Sequence, residues 1–160
     1  MQNTAEGGFA PREVLAIAIG TEEYGIDIGR IQEIRGYDAV TKLANAPEFI
    51  KGVINLRGVI LPIVDLRLMF GMENPRYDAL TVVVVLSIGE QTLGMVVDSV
   101  SDVVNLAPDQ VKPPPAASGA LHIDYVTGLG TLDDRMLILI DIARLMTAHQ
   151  MTAINSVLAA

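Results

Sequence analysis

Residues 49–70, FIKGVINLRGVILPIVDLRLMF, decide how this chain folds. Two short apolar runs, Val53 to Leu56 and Val59 to Val64, are separated by Arg57-Gly58 and closed by Asp65. Val and Ile suit strands because β-branched side chains pack on a pleated, half-buried surface. Gly58 can take the positive φ of a tight hairpin turn. After Asp65 the spacing of Leu66, Met69 and Phe70 becomes helical, and the Asp65 carboxylate can accept from the first free helix N–H groups. The stretch therefore predicts strand, tight turn, strand and a capped short helix.

Working outward, Val14 to Ile19 and Tyr24 to Ile28 read as a first strand pair, followed by an extended Ile31 to Ile34 and a short edge strand over Val40 to Leu43. Residues 71–79, GMENPRYDA, are polar with Gly and Pro and suggest an internal boundary. Leu80 to Ile88, Thr92 to Val97 and Val100 to Leu106 continue in extended form, and KPPPAASG (112–119) reads as a loop. Tyr125 to Leu132 and Met136 to Ile140 form another hairpin, and Asp141 opens a helix through Met146. Residues 1–12 read as a flexible tail and 147–160 as a C-terminal helical tail, leaving 13–146 as the folded part.

The chain repeats itself. At an offset of 69, Ile19-Gly20 matches Ile88-Gly89, Gly25 matches Gly94, Ile31 matches Val100 and Ile34 matches Val103. At an offset of 76, Phe49 matches Tyr125, Gly52 matches Gly128, Leu56 matches Leu132, Leu61 matches Leu137 and Asp65 matches Asp141. Each copy would hold four or five short strands ending in a helical turn. A unit of roughly 65 residues is marginal alone, so the two copies are expected to pack together. Short, closely spaced strands favour small barrels, which leave no long exposed edge.

Bulk properties narrow the function. The 160 residues carry a formal charge of −8, against the basic footprint of a nucleic-acid binder or a polybasic membrane anchor. The composition, 51% hydrophobic and 19% charged, predicts a packed core, and with 4% aromatic residues and no Trp that core must be aliphatic. There are no cysteines, which excludes disulfides, thiolate zinc sites and a cysteine nucleophile. No apolar run approaches the ~20 residues of a spanning helix, and no basic-then-apolar leader opens the chain, so a cytoplasmic protein without membrane insertion is expected.

Four strings, EEYGIDIGRIQEIRGY (22–37), PEFIKGVINLRGVILPIVDLR (47–67), GMVVDSVSDVV (94–104) and YVTGLGTLDDRMLILIDI (125–142), resemble the CheW family of bacterial chemotaxis coupling proteins. The resemblance spans about residues 13–146 in order. It implies a mainly all-β fold of two small five-stranded Src-homology-3-like barrels packed side by side, with short helices. It also implies a non-enzymatic adaptor that joins the cytoplasmic tips of chemoreceptors (methyl-accepting chemotaxis proteins) to the histidine kinase CheA, recruited to membrane receptor arrays through those partners.

The residues themselves show no catalytic constellation. His122 and His149 have no Cys partner and read as ordinary histidines rather than a metal pair. Asp133-Asp134 and Glu22-Glu23 fall in turns, where adjacent side chains diverge, so neither makes a shared-proton dyad. A small hydrolase built on Asp133 or Asp134 is the enzymatic alternative. Gly128 and Gly130 lack the Lys-Ser/Thr of a phosphate loop. No cofactor or metal is expected. The polyproline run in 112–119 reads as a spacer.

What remains is binding. Arg57 faces a counterpart Asp133 in the repeat, and Glu33 faces Asp102. Both read either as a surface ion pair or as polar contacts at a partner surface, where Arg is enriched. Ile31, Ile34, Val100 and Val103 read either as core between the barrels or as a groove for a helical receptor tip. Gly52 suggests a bulge or a close backbone approach whose loss would perturb packing or binding. Lys112 opens the loop that, by the resemblance, contributes a further kinase contact; here that loop has no large aromatic anchor. The expected receptor- and kinase-binding residues are thus Ile31, Glu33, Ile34, Gly52, Arg57, Val100, Val103 and Lys112. The same adaptor module in a surface-motility array, or the regulatory end of a longer kinase, are the alternatives within this class.

Overall fold

The computed structural model describes residues 12–37, 40–114, 125–146 and 148–159. Of the tail predicted over 1–12, residues 1–11 lie outside the described residues and Arg12 opens the first strand; residues 115–119 of the predicted loop and His122 also lie outside them. Among the described residues eleven strands form: β1 (Arg12–Ile19), β2 (Glu22–Asp27), β3 (Ile31–Gly36), β4 (Ile50–Leu56), β5 (Val59–Asp65), β6 (Val82–Ile88), β7 (Gln91–Val97), β8 (Ser99–Leu106), β9 (Val111–Lys112), β10 (Val126–Leu132) and β11 (Arg135–Ile140). Three α-helices accompany them among the described residues, α1 (Leu66–Met69), α2 (Ile142–Leu145) and α3 (Ala148–Ala159), with single 3-10 turns at Ile28–Arg30 and Pro108–Gln110. The expected strand over Val40 to Leu43 reduces to a single bridge between Thr41 and Val53. Leu80, placed in a strand by its apolar character, lies outside β6 and is 70% exposed.

The chain divides into two compact units, one of residues up to Ile28 with Val100–Leu145, the other of Gly29–Ser99 with the segment from Met146. In the first unit the sheet order is β8-β1-β2-β11-β10-β9, and in the second it is β3-β6-β7-β5-β4. The second has the expected five strands; the first has a sixth, the two-residue β9, where the second has only the Thr41–Val53 bridge. The repeat is interleaved. β1 and β2 of the first copy close onto β8–β11 of the second, while β6 and β7 of the second copy close onto β3–β5 of the first. Two parallel pairings make the closures: β11 with β2, Leu137 opposite Glu23, and β5 with β7, Ile63 opposite Gly94. Residues 71–79 lie inside the second unit, joining α1 to β6, and the chain passes between the units at 28/29, 99/100 and 145/146. Local strand patterning is the same whichever copy supplies the neighbour, so the exchange leaves no mark on periodicity.

Each unit has its own aliphatic core. The first gathers Val14, Ala16, Val104, Leu106, Val111, Leu137 and Leu139; the second gathers Ile54, Leu56, Leu61, Ile63, Val83, Val85 and Val96, with Tyr37 and Val40 against it. Consecutive Val83, Val84, Val85 and Leu86 are all buried, which is why β6 reads as a continuous apolar run rather than an alternation.

The deciding stretch folds as its chemistry predicts. Arg57 and Gly58 take φ of 53° and 89°, the pair of positive angles that a two-residue type I′ turn needs, and the Asn55 side-chain carbonyl accepts from the Gly58 N–H at 2.8 Å. Gly52 takes φ 147° at a bulge opposite β5, and a Cβ there would collide with the Thr41 carbonyl. Asp65 caps α1 by accepting from the Arg67 N–H at 2.9 Å, and Asp141 caps α2 by accepting from the Ala143 N–H at 2.9 Å.

The first copy adds a pin that the second lacks. The Arg67 guanidinium, fully buried, donates to both Asp65 oxygens (3.0 and 2.9 Å), to Asp98 (2.9 Å) and to the Arg76 carbonyl (2.5 Å). Tyr77 Oη donates to Asp65 Oδ2 at 2.6 Å, and its ring lies 4.7 Å from the Tyr37 ring at the end of β3. The pin thus fastens 76–77 to α1. At the matching place in the second copy stands Ala143.

Candidate partner-docking site

In the second unit the β4–β5 hairpin and β3 meet through ionic contacts. Glu33, on β3, accepts from Arg57 Nη2 at 2.6 Å and from Arg35 Nη1 at 3.1 Å. Hydrogen bonds from Arg57 and then Arg35 hold the Glu33 carboxyl below the ordinary glutamate range. The clasp is open to solvent: the Arg57 side chain is 70% exposed and Arg35 40%. The same two elements expose Ile34, Val59 and Ile60. An exposed arginine tethered by one carboxylate and bordered by large apolar residues can offer both an orienting charge and apolar area to a protein partner.

The sequence-predicted residues separate into three groups. Ile31, Glu33, Ile34 and Arg57 lie on β3 and the hairpin tip of the second unit, with Ile31 half-buried and Ile34 exposed. Gly52 lies in the same hairpin but is buried, and the Thr41 approach accounts for it without any partner. Val100, half-buried, and Val103, exposed, lie on β8 of the first unit; Lys112, exposed, lies on β9 at the other end of that sheet order.

The first unit carries a clasp that the sequence reading missed. Arg135, the first residue of β11, donates to Glu23 on β2 (3.0 and 3.1 Å) and to Asp102 on β8 (3.1 and 2.9 Å). Hydrogen bonds from Arg135 lower the carboxyls of both Glu23 and Asp102, and Ser101 Oγ also donates to Glu23 at 3.0 Å. Arg57 is therefore not a lone departure from the repeat. In the second copy the arginine has moved two places past the turn, from the Asp133 position to Arg135, and still holds the acid equivalent to Glu33. Strict alignment hid it; a search for any hairpin arginine opposite the β8 acid would have found it.

Residues 13–150 match the family model described as CheW-like domain. The chain belongs to the CheW-like domain family. It is 52% identical to the chemotaxis protein CheW of Klebsiella aerogenes over 151 residues, covering 94% of this chain and 91% of that protein. A probable chemotaxis protein CheW of Rhizobium etli is 34% identical, covering 89% and 92%. The crystal structure of the scaffolding protein TtCheW from Thermoanaerobacter tengcongensis superposes with a TM-score of 0.78 at 31% identity, covering 88% of this chain and 95% of that one. This CheW-like chain is a chemotaxis coupling adaptor, and its two small β units are the fold that the resemblance implied. Among the described residues no helix is long and apolar enough to cross a membrane.

Proposed function

We propose that this CheW-like chain works without catalysis, bridging the cytoplasmic tips of chemoreceptors to the regulatory domain of a CheA-type histidine kinase. The observation that carries this reading is the exposed Arg57, held by Glu33 and bordered by Val59 and Ile60 at a hairpin tip. That face takes the kinase domain. The apolar positions Ile31 and Ile34 on the second unit, and Val100 and Val103 on the first, are receptor contacts, and Lys112 on the first unit adds a peripheral charged contact. Gly52 acts through the fold of the hairpin. Holding receptor and kinase together raises their effective concentration and biases the kinase between its active and inactive states. The protein is recruited from the cytoplasm to receptor arrays by these partners.

Reconstitution tests the reading: receptor and kinase with and without the protein, scored by kinase autophosphorylation. Receptor control of the kinase should depend on the protein. Arg57→Asp should weaken kinase capture about tenfold or more, since it reverses a charge at the contact. Kinase control that is indifferent to the protein would overturn the coupling role. Undiminished capture by Arg57→Asp would remove Arg57 from the contact.

A further inference from the structure

The two units build the same face with opposite charge. Glu33 and Ile34 on β3 correspond to Asp102 and Val103 on β8 at one offset of the repeat, and Ile60 on β5 corresponds to Met136 on β11 at the other. Ile34, Ile60, Val103 and Met136 are 44%, 51%, 48% and 48% exposed, so these paired apolar positions are equally open, while Val59, 57% exposed, has Arg135 at its place in the other unit. An acid–arginine clasp accompanies each pair. The difference lies in who surrounds whom. In the second unit one carboxylate, Glu33, sits between Arg35 and Arg57. In the first unit one arginine, Arg135, sits between Glu23 and Asp102. The turns reinforce the contrast, being Arg57-Gly58 in one hairpin and Asp133-Asp134 in the other.

We propose that the charge of the two hairpin turns is the specificity determinant that decides which of the two equivalent faces the kinase domain takes. The inference rests on the coupling reading above and adds what makes the docking one-sided. The paired apolar positions discriminate weakly: Ile34 against Val103 differs by one methylene, worth roughly fourfold in affinity, and Val59 against Arg135 adds to the same preference for the second unit. Like charges brought together at an interface cost far more, tenfold and upward. A partner with an acidic counter-surface is drawn to Arg57 and Arg35, and is turned away by Asp133, Asp134, Glu23 and Asp102.

The backbone permits a direct exchange. Arg57 and Asp133 both take φ 53°, so each side chain is already accommodated at the other's geometry. The test measures kinase protomers bound per full-length chain, and their Kd, by calorimetry and sedimentation. Wild type should bind one. Asp133→Arg with Asp134→Gly should bind two, the second within about tenfold of the first. Arg57→Asp should lose about tenfold or more, and its residual binding should lose most of its salt dependence. One protomer per chain in the recharged double variant, or two of equal affinity in wild type, would overturn the specificity inference while leaving coupling intact. No binding by wild type would overturn the coupling reading and the inference with it.

Discussion

Arg67→Ala should be the most damaging of the charge deletions open to this chain. The Arg67 and Asp65 side chains both have no exposure to solvent. Removing the guanidinium takes away the two side-chain donors that Asp65 receives from it and leaves that carboxylate with the Tyr77 hydroxyl and the Arg67 N–H. Asp98 and the Arg76 carbonyl lose their Arg67 donors at the same time. Breaking a buried pair by deleting one partner costs about 3–5 kcal/mol, because an uncompensated charge stays in the interior. Against a total stability of about 5–15 kcal/mol that is a large share. With a urea m-value of about 2 kcal/mol/M, the unfolding midpoint should fall by about 2 M. Arg144→Ala is the control: Arg144 is 63% exposed and 3.8 Å from Asp141, and its loss should cost no more than about 0.5 kcal/mol. Urea unfolding followed by circular dichroism checks both. If Arg67→Ala moves the midpoint no further than Arg144→Ala, water reaches the pin and the reasoning from burial is wrong.

Two further outcomes follow from local geometry. Gly52→Ala forces a Cβ toward the Thr41 carbonyl at φ 147°, so it should cost about 1–3 kcal/mol and release the Thr41–Val53 bridge; thermal melting and amide exchange at Val53 would read this. Glu33, held low by Arg57 and then Arg35, should titrate below its ordinary 4.5 in a carboxyl-detected NMR titration. Because its folded value is depressed, the clasp's contribution is present above that ordinary value and is lost as pH falls through the folded one. Arg57→Gln should move the Glu33 midpoint up, and an unmoved midpoint would mean that Arg57 does not hold it.

Much of this molecule could be read along the chain. The Arg57-Gly58 turn, the Asp65 and Asp141 caps and the bulge at Gly52 depend on interactions within a few residues, and each formed where its residues allowed it. Arg57 was visible as a charge out of step with the repeat and Glu33 as an acid in a mainly apolar stretch, although their pairing depended on β3 and the hairpin tip being brought together. Arg67 was invisible as a buried ion. In DLR it reads as an exposed basic residue on a short helix, and its partners Arg76 and Asp98 come from later segments. Arg135 was invisible because alignment matches positions, whereas a clasp needs only reach, and an arginine side chain spans the two-residue displacement.

By itself, then, the amino-acid sequence determined the strands, their turns, their caps, the aliphatic core and the existence of a duplication, because each is set by neighbouring side chains and backbone angles. Only the tertiary structure decided which copy closes which sheet. β2 pairs with β11 and β5 with β7, and an apolar strand edge fits either partner equally well in its local pattern. The same assembly decided that the two hairpins would carry clasps of opposite charge, since Glu33, Arg35 and Arg57, or Glu23, Asp102 and Arg135, come together only when separate strands share a sheet.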